Sequence, residues 1–421
     1  MLKSPNNKAH IIFHIDFNAY FCSVAEIFNP ALRDTAFAIG RENSLYGVIS
    51  TCSYEARKYG IRSGMSQTEA LKLYPKLNIV SLPYENYVNY HKKFLSLLHE
   101  YTNLIEVASI DEAYIDVTKV CDKVHPLLLA KEIQTKLLER YHLKVSIGIA
   151  PTLFLAKMAS DMKKPLGITV LRIRDIKEKL YPLSVKDIFG IGKKTAPRLE
   201  NIGINNICDF VNENNKAKIV NLIGLKHYNH VIESLSGKSR NYIDNEKTSV
   251  NESISVSETY DRRLTQEEDI LSELEKLTRN LYKRLTRQDK YVKTISITLR
   301  DTNFKTITRS KTIEYTNDYI IIKNVVDDLF YDNYDYKTYR LLGVTFANLI
   351  SKELLPKPYD LFNIDNKKTI IDEMVLSLNE KFGSYAVYFA SASKKALTSN
   401  TTSKGVEAPE VMTTLFTEVK S

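Results

Sequence analysis

The stretch SIDEAYIDVT, residues 109–118, sets two carboxylates side by side, Asp111 and Glu112, at the head of an alternating apolar run. Adjacent anions repel and are costly to bury, so a half-buried strand tolerates them where a cation neutralises them, most simply Mg²⁺ with its preference for oxygen ligands. Two such ions held roughly 3.5–4 Å apart activate a hydroxyl and stabilise a leaving phosphate in an in-line displacement. A third carboxylate is available. HIIFHI, residues 10–15, is an isoleucine-rich run that ends at Asp16, and NAYFCSVAEIF after it carries apolar residues at helical spacing. Asp16 joins the pair if the two strands are neighbours in one sheet. The plainer reading of Asp111 and Glu112 is a hairpin turn.

With 421 residues the chain is too long for one ordinary core and divides naturally into three or four domains. Its 43% hydrophobic and 26% charged residues are those of a globular protein, neither fibrous nor disordered. No apolar run approaches the roughly 18–20 residues of a membrane span, and the N-terminal MLKSPNNKAH lacks the apolar core of a signal peptide. Cys22, Cys52, Cys121 and Cys208 are far apart with no C-x-x-C pair, which argues against a zinc site or a disulfide framework. A reducing, cytoplasmic setting with no membrane partner is expected. The net charge of +9 is regional: residues 151–240 hold 16 Lys/Arg against 8 Asp/Glu. A polyanion such as nucleic acid would meet that region as a patch, although a solvated basic surface gives the same count.

Along the chain, a small mixed segment from residue 36 to 83 offers a strand at VISTCSY and helices through EARKYG and SQTEALKLYP. After the acidic stretch come a helix, LLLAKEIQTKLLERYH, a strand, VSIGIA, and a helix, LFLAKMASDMKK, that stops at Pro165. Residues 173–239 are helical with short loops, and the polar, aperiodic SRNYIDNEKTSVNE is a linker. Beyond it the order is βαββαβ, the split βαβ arrangement of a two-layer domain. Residues 354–421 form a tail with one helix, TIIDEMVLSLNEKF, and a Ser/Thr-rich end expected to be disordered.

Two further constellations carry chemistry. In STCSYEARKYGIRSGMS, Tyr54 and Arg57 share a helix face, and the guanidinium fork suits phosphate oxygens; both also read as plain surface residues. Lys157 in LFLAKMASDM is a further phosphate ligand in the same sense. In GIGKKTAPRL, Gly190 and Gly192 permit a tight turn followed by Lys193 and Lys194, able to grip a nucleic-acid phosphate without reading a base, or serving as a simple turn between helices.

HIDFNAYFCSVAE, STCSYEARKYGIRSGMS, SIDEAYIDVT, GIAPTLFLAKMASDMKKPLG and DIFGIGKKTAPRLENIGI stand in the order and spacing of the Y-family translesion DNA polymerases of the polymerase IV and polymerase V catalytic-subunit type, a resemblance that covers residues 8–353. It implies an α+β multidomain, right-hand polymerase. The palm would be 8–19 and 83–172, the fingers 20–82, a helix-hairpin-helix thumb 173–239, a linker 240–250, a βαββαβ little finger 251–353 and a tail 354–421. It implies that two Mg²⁺ ions are held by Asp16, the Phe17 carbonyl, Asp111 and Glu112, which are also the catalytic residues. The incoming dNTP would be contacted by Thr51, Tyr54, Arg57 and Lys157, and Phe21, five residues past Asp16, would be the aromatic gate against ribonucleotides. Gly190, Gly192, Lys193 and Lys194 would touch primer-template DNA. Template-directed addition of dNTPs to a primer 3′-OH, lesion bypass and low fidelity follow, with no stretch left over for a proofreading exonuclease, in a protein acting as a monomer.

Three departures from the family pattern stand out. Asn18 replaces a frequent second aspartate, with little harm expected because the ligand there is a backbone carbonyl; Phe189 replaces the proline before GIG. KPYDLFNI in the tail resembles the peptide that docks bacterial polymerases on the sliding clamp, through Tyr359, Leu361 and Phe362, with Pro358 in place of the usual glutamine. A nucleotide cyclase would share a two-metal palm but needs neither helix-hairpin-helix nor little finger, and a non-catalytic DNA-binding relative would lose the acids.

Overall fold

The alternation around the acids becomes the centre of a five-stranded sheet. A computed structural model describes residues 9–42, 47–244 and 253–355. These fall into two units, divided at residues 251 and 252.

In the first unit, β1 (Ile12–Phe17) leads into α1 (Tyr20–Phe28). A small three-stranded sheet follows, of β2 (Phe37–Ile39), β3 (Thr51–Cys52) and β4 (Asn78–Val80), with α2 (Tyr54–Lys58) and α3 (Gln67–Leu73). Ser53 and Ser66 start those two helices, each accepting a backbone N–H three residues on. Then come α4 (Tyr84–His99), β5 (Ile105–Val107), β6 (Glu112–Asp116), α5 (Pro126–Tyr141), β7 (Val145–Ala150), α6 (Leu153–Asp161) and β8 (Ile168–Val170). The large sheet runs β5-β6-β1-β7-β8, and all six residues of β1 are buried at its middle.

Side chains alternate across a strand, and β1 uses both faces. Phe13, Ile15 and Phe17 pack with Phe94, Leu97 and Leu98 of α4 and Ile133 and Leu137 of α5. Ile12 packs among α6 residues on the other face, where His14 meets Ser160 of α6 and Asp16 meets Lys157. Burial on both faces explains a run that is apolar except at His14 and Asp16. α4 is an element that the reading of the sequence does not anticipate.

Five short helices complete the unit: α7 (Ile176–Lys179), α8 (Ala196–Glu200), α9 (Ile207–Val211), α10 (Lys216–Ile223) and α11 (Leu225–Leu235). They share a core with α6. The first residues of the expected linker are anchored on the large sheet: Arg240 Nη2 lies 2.5 Å from Glu106 Oε1, and the Arg240 carbonyl accepts the Leu153 N–H.

The second unit has the βαββαβ order read from the sequence: β9 (Ser253–Leu264), α12 (Glu267–Arg287), β10 (Lys290–Asp301), β11 (Thr306–Thr316), α13 (Tyr319–Tyr331) and β12 (Tyr339–Ala347), with a two-residue β13 (Ile350–Ser351). The sheet order is β11-β10-β12-β9. Ile295, Ile297 and Leu299 of β10 face the helices and are buried with Leu274, Leu281, Val326 and Phe330. The opposite face carries rows of small residues in register, hydroxyl-bearing except at one glycine: Ser255, Thr345, Ser296 and Ser310 in one, Ser257, Gly343, Thr298 and Thr308 in the next. Across it Ser296 and Ser310 lie 2.8 Å apart, and Arg300 Nε donates to Thr306 at 2.7 Å.

Candidate active site

Antiparallel pairing of β1 with β6 sets Asp16 opposite Glu112. Both belong to the face covered by α6. Asp111 lies in the bend before β6, where the Ala108 and Ser109 N–H groups donate to the Glu112 carbonyl. Both readings of the paired acids therefore describe the same turn: it closes a hairpin, and it delivers Glu112 to the sheet. The Asp111 carbonyl accepts the Phe17 N–H at 3.1 Å, placing those two residues side by side, while its carboxylate accepts the Ser109 hydroxyl at 2.5 Å.

Two lysines converge on the acids from α6 and the loop after it. Lys157 Nζ donates to Asp16 Oδ2 at 2.8 Å and to Glu112 Oε1 at 2.9 Å, and Lys164 Nζ lies 2.7 Å from Asp16 Oδ1. Asp161, one turn from Lys157, contacts both ammonium groups. Burial pushes the Asp16 carboxyl above its ordinary range, against the pull of Lys164 and Lys157. For Glu112, burial acts upward too, but hydrogen bonds from His14 and Lys157 and the lysine charge overcome it and hold the carboxylate well below the usual range. Lys157 stays charged: burial disfavours its cation, and Asp16, Asp161 and Glu112 more than reverse that.

His14 completes the cluster. Its Nε2 lies 3.2 Å from Glu112 Oε2 and its Nδ1 2.8 Å from Ser160 Oγ, with the ring fully buried. Burial lowers its pKa, against the hydrogen bond and charge of Glu112, which act to raise it. His14, Asp16 and Glu112 offer ligand atoms within 4.8 Å of one another, the one such group among the described residues. The donor set suits a hard divalent cation: two carboxylates on one face, desolvated, already demanding positive charge.

The residues expected to meet the nucleotide come to the same face in part. Arg57 lies over the Tyr54 ring, 4.6 Å from its centroid. Burial raises the Tyr54 hydroxyl, Arg57 and Lys164 oppose that, and Asp16 adds to it, so Tyr54 is within electrostatic reach of Asp16. Thr51 sits three residues earlier in β3, opposite Ile39. Phe21, half-buried, follows Tyr20 in the first turn of α1. Gly190, Gly192, Lys193 and Lys194 form a separate, exposed turn before α8; Gly190 takes a left-handed φ of 95°, and the Gly192 carbonyl accepts from Thr195 and Ala196. Phe189 packs against Phe154 of α6, ring centroids 6.2 Å apart, so the residue that replaces proline fastens this turn to the helix bearing Lys157. Tyr359, Leu361 and Phe362 lie outside the described residues.

Three residues of the site escape the reading of the sequence. Lys164 follows the end of α6, where the KKP signal is one of termination. His14 in an apolar strand reads as core. Asn18 has more to do than its substitution for aspartate suggests: its amide donates to Ser146 at 2.9 Å and its oxygen accepts the Leu166 N–H at 2.8 Å, tying the Lys164 loop to the end of β1.

Comparison with known proteins agrees with this arrangement. Residues 15–161 match the impB/mucB/samB family, residues 174–204 the helix-hairpin-helix motif of that family, and residues 251–355 its C-terminal domain. A DNA polymerase IV of Bacillus subtilis is 37% identical over 397 residues, covering 92% of this chain and 94% of that protein; one of Halalkalibacterium halodurans is 36% identical, covering 89% and 92%. Among solved structures, a Y-family DNA polymerase chimera of Dbh and Dpo4 is 25% identical with a TM-score of 0.72, covering 81% of this chain and 99% of its own. With the acids, the helix-hairpin-helix and the βαββαβ unit in that order, the chain belongs to the impB/mucB/samB family, the Y-family DNA polymerases.

Proposed function

We propose that this Y-family DNA polymerase extends a primer by two-metal phosphoryl transfer, copying past damaged template bases at low fidelity and without proofreading. The observation that carries the reading is the register of Asp16 against Glu112 with Lys157 between them, on the face that Lys164 and Tyr54 also approach. Asp16, Glu112, Asp111 and the Phe17 carbonyl would hold Mg²⁺, which supplies charge neutralisation and a more acidic 3′-hydroxyl. Arg57, Lys157 and Lys164 take the triphosphate oxygens, and Thr51 and Tyr54 orient them. The primer 3′-oxygen then forms its bond to the α-phosphorus as the bond to the bridging oxygen breaks and pyrophosphate leaves.

The domain assignments follow: palm 8–19 and 83–172, fingers 20–82, thumb 173–239, linker 240–250 and little finger 251–353. The GIG turn with Lys193 and Lys194 grips backbone phosphate, and the hydroxyl face of the second unit suits the same sequence-independent contact, since most protein–DNA hydrogen bonds go to phosphate and sugar. We place the polymerising centre at the His14, Asp16 and Glu112 cluster. No described helix is long and apolar enough to cross a membrane. We place the protein in the cytoplasm, acting as a monomer on primer-template DNA.

The deciding experiment is extension of a labelled primer with Mg²⁺ and four dNTPs on an undamaged template and on one carrying a damaged base. Extension on both is expected. Folded protein that extends neither would leave only a DNA-binding role. The tail belongs to the same reading, through a sliding-clamp contact at Tyr359, Leu361 and Phe362. Replacing Leu361 and Phe362 together with alanine should leave distributive synthesis unchanged and remove stimulation by the clamp; equal stimulation of both proteins would exclude the contact.

A further inference from the structure

We propose that Tyr87 is a positioning residue for sugar selection, bracing the Phe21 ring so that it cannot retreat from a 2′-hydroxyl. The inference rests on Phe21 being the gate and adds what makes a gate of that kind work. Exclusion by size requires a ring that stays where it is. A half-exposed phenylalanine near a helix start has alternative staggered rotamers, and a clash with one hydroxyl is relieved if the ring swings to another of them. Stiffness has to come from neighbours.

The structure supplies that support from α4. The Tyr87 ring meets Phe21 edge-on, with centroids 4.5 Å apart and planes at 75°. That is the T-shaped geometry favoured by ring quadrupoles. Tyr87 is itself immobilised, only 3% exposed in the first turn of α4, with Tyr84 packed against it at 6.4 Å. Its carbonyl accepts the Tyr20 hydroxyl at 2.5 Å, so α4 is bonded to the residue just before the gate. Tyr20 in turn stacks on Phe17, centroids 4.7 Å apart, at the end of the strand that carries Asp16. Phe17, Tyr20, Phe21 and Tyr87 thus form one aromatic block running from the acidic strand to the gate.

The Tyr87 hydroxyl separates the ring's role from any polar one. It is buried without a hydrogen-bond partner among the described residues, and burial pushes its pKa up to about 12. A hydroxyl left unpaired inside a protein costs stability, so the contact that matters at this position is that of the ring. Tyr87→Phe keeps the brace, whereas Tyr87→Ala and Tyr87→Leu remove its edge.

The test is single-nucleotide addition of a dNTP against the matching rNTP, read as the ratio of kcat/KM values, for the wild type and for Phe21→Ala, Tyr87→Phe, Tyr87→Leu, Tyr87→Ala and the double variant Phe21→Ala/Tyr87→Ala. Phe21→Ala should lower discrimination roughly a hundredfold or more, as loss of the excluding group requires. Tyr87→Ala and Tyr87→Leu should lower it by about tenfold, the scale of one lost ring contact, with Tyr87→Phe unchanged. The double variant should be no less selective than Phe21→Ala alone, since a brace has no effect once the gate is gone. A selective Tyr87→Leu beside a permissive Phe21→Ala would overturn the brace and leave the gate standing, and it decides the matter even if Tyr87→Ala fails to fold. A permissive Tyr87→Phe, or additive losses in the double variant, would also overturn it. Unchanged discrimination in Phe21→Ala would instead remove the gate on which the inference rests.

Discussion

Glu112→Ala and Asp111→Ala are each expected to lower nucleotide addition by at least about three orders of magnitude, ~4 kcal/mol at the transition state, while primer-template affinity should stay within a few-fold of wild type. The asymmetry follows from where the acids sit. Glu112 lies on the face of the large sheet covered by α6 and Asp111 in the bend just before it, whereas the basic GIG turn and the hydroxyl face of the second unit carry the proposed DNA contacts. Loss of Glu112 does not strand a buried cation, because Lys157 keeps Asp16 at 2.8 Å and Asp161 at 3.5 Å. The fold should therefore survive with a thermal midpoint only a few degrees lower, about 1–2 kcal/mol. Chelation of divalent cations should reproduce the loss of activity with an unchanged circular dichroism spectrum. Primer extension by either variant at a rate near wild type would remove these carboxylates from the catalytic centre, and a parallel loss of DNA affinity would make their role structural.

How much of this was legible depends on whether the signal was local. Asp16 and Glu112 were readable because each closes or opens an apolar strand, and a carboxylate at such a position needs a partner. Their partnership needed only that two strands be neighbours. The βαββαβ unit was readable because its strands and helices are long: α12 runs 21 residues with acids in its first turn and arginines in its last. α4 was not, although Tyr87, Phe94, Leu97 and Leu98 repeat at helical spacing. Its tyrosines, asparagines and lysines dilute the pattern, and Pro83 before it reads as a loop. His14 and Ser160 are 146 residues apart, and no local pattern announces that a helix will bring them together. The hydroxyl rows are of the same kind, since a strand's sequence gives two faces but register alone says which residues align across four strands.

The same contact between α6 and the sheet carries the second large effect, at Gly148. This residue lies in β7 directly opposite His14, beneath α6. A Cβ built there would stand 2.0 Å from the Ala156 carbonyl oxygen and 2.4 Å from the Ser160 nitrogen. Both are backbone atoms of a helix, so no side chain can rotate away and the helix must lift as a body. Overpacking of this severity costs at least about 3 kcal/mol, since 1–3 kcal/mol is the range for cores that can still adjust. For a unit of this size that is a fall of roughly 6–12 °C in the thermal midpoint. The chemistry should suffer beyond the stability, because α6 carries Lys157 and Ser160. A displacement of about 1 Å pulls the ammonium from between Asp16 and Glu112 and breaks the His14 contact, and misplacement on that scale costs on the order of a hundredfold in rate. Gly148→Ala is therefore expected to be both less stable and, at a temperature where it remains folded, slower by that factor. Gly192→Ala is the control for stability alone: nothing lies within 4 Å of a Cβ there, and its thermal midpoint should match wild type. If Gly148→Ala melts with wild type and extends primers at the wild-type rate, α6 does not sit on β7 as closely as these distances require, and the placement of Lys157 between the acids goes with it.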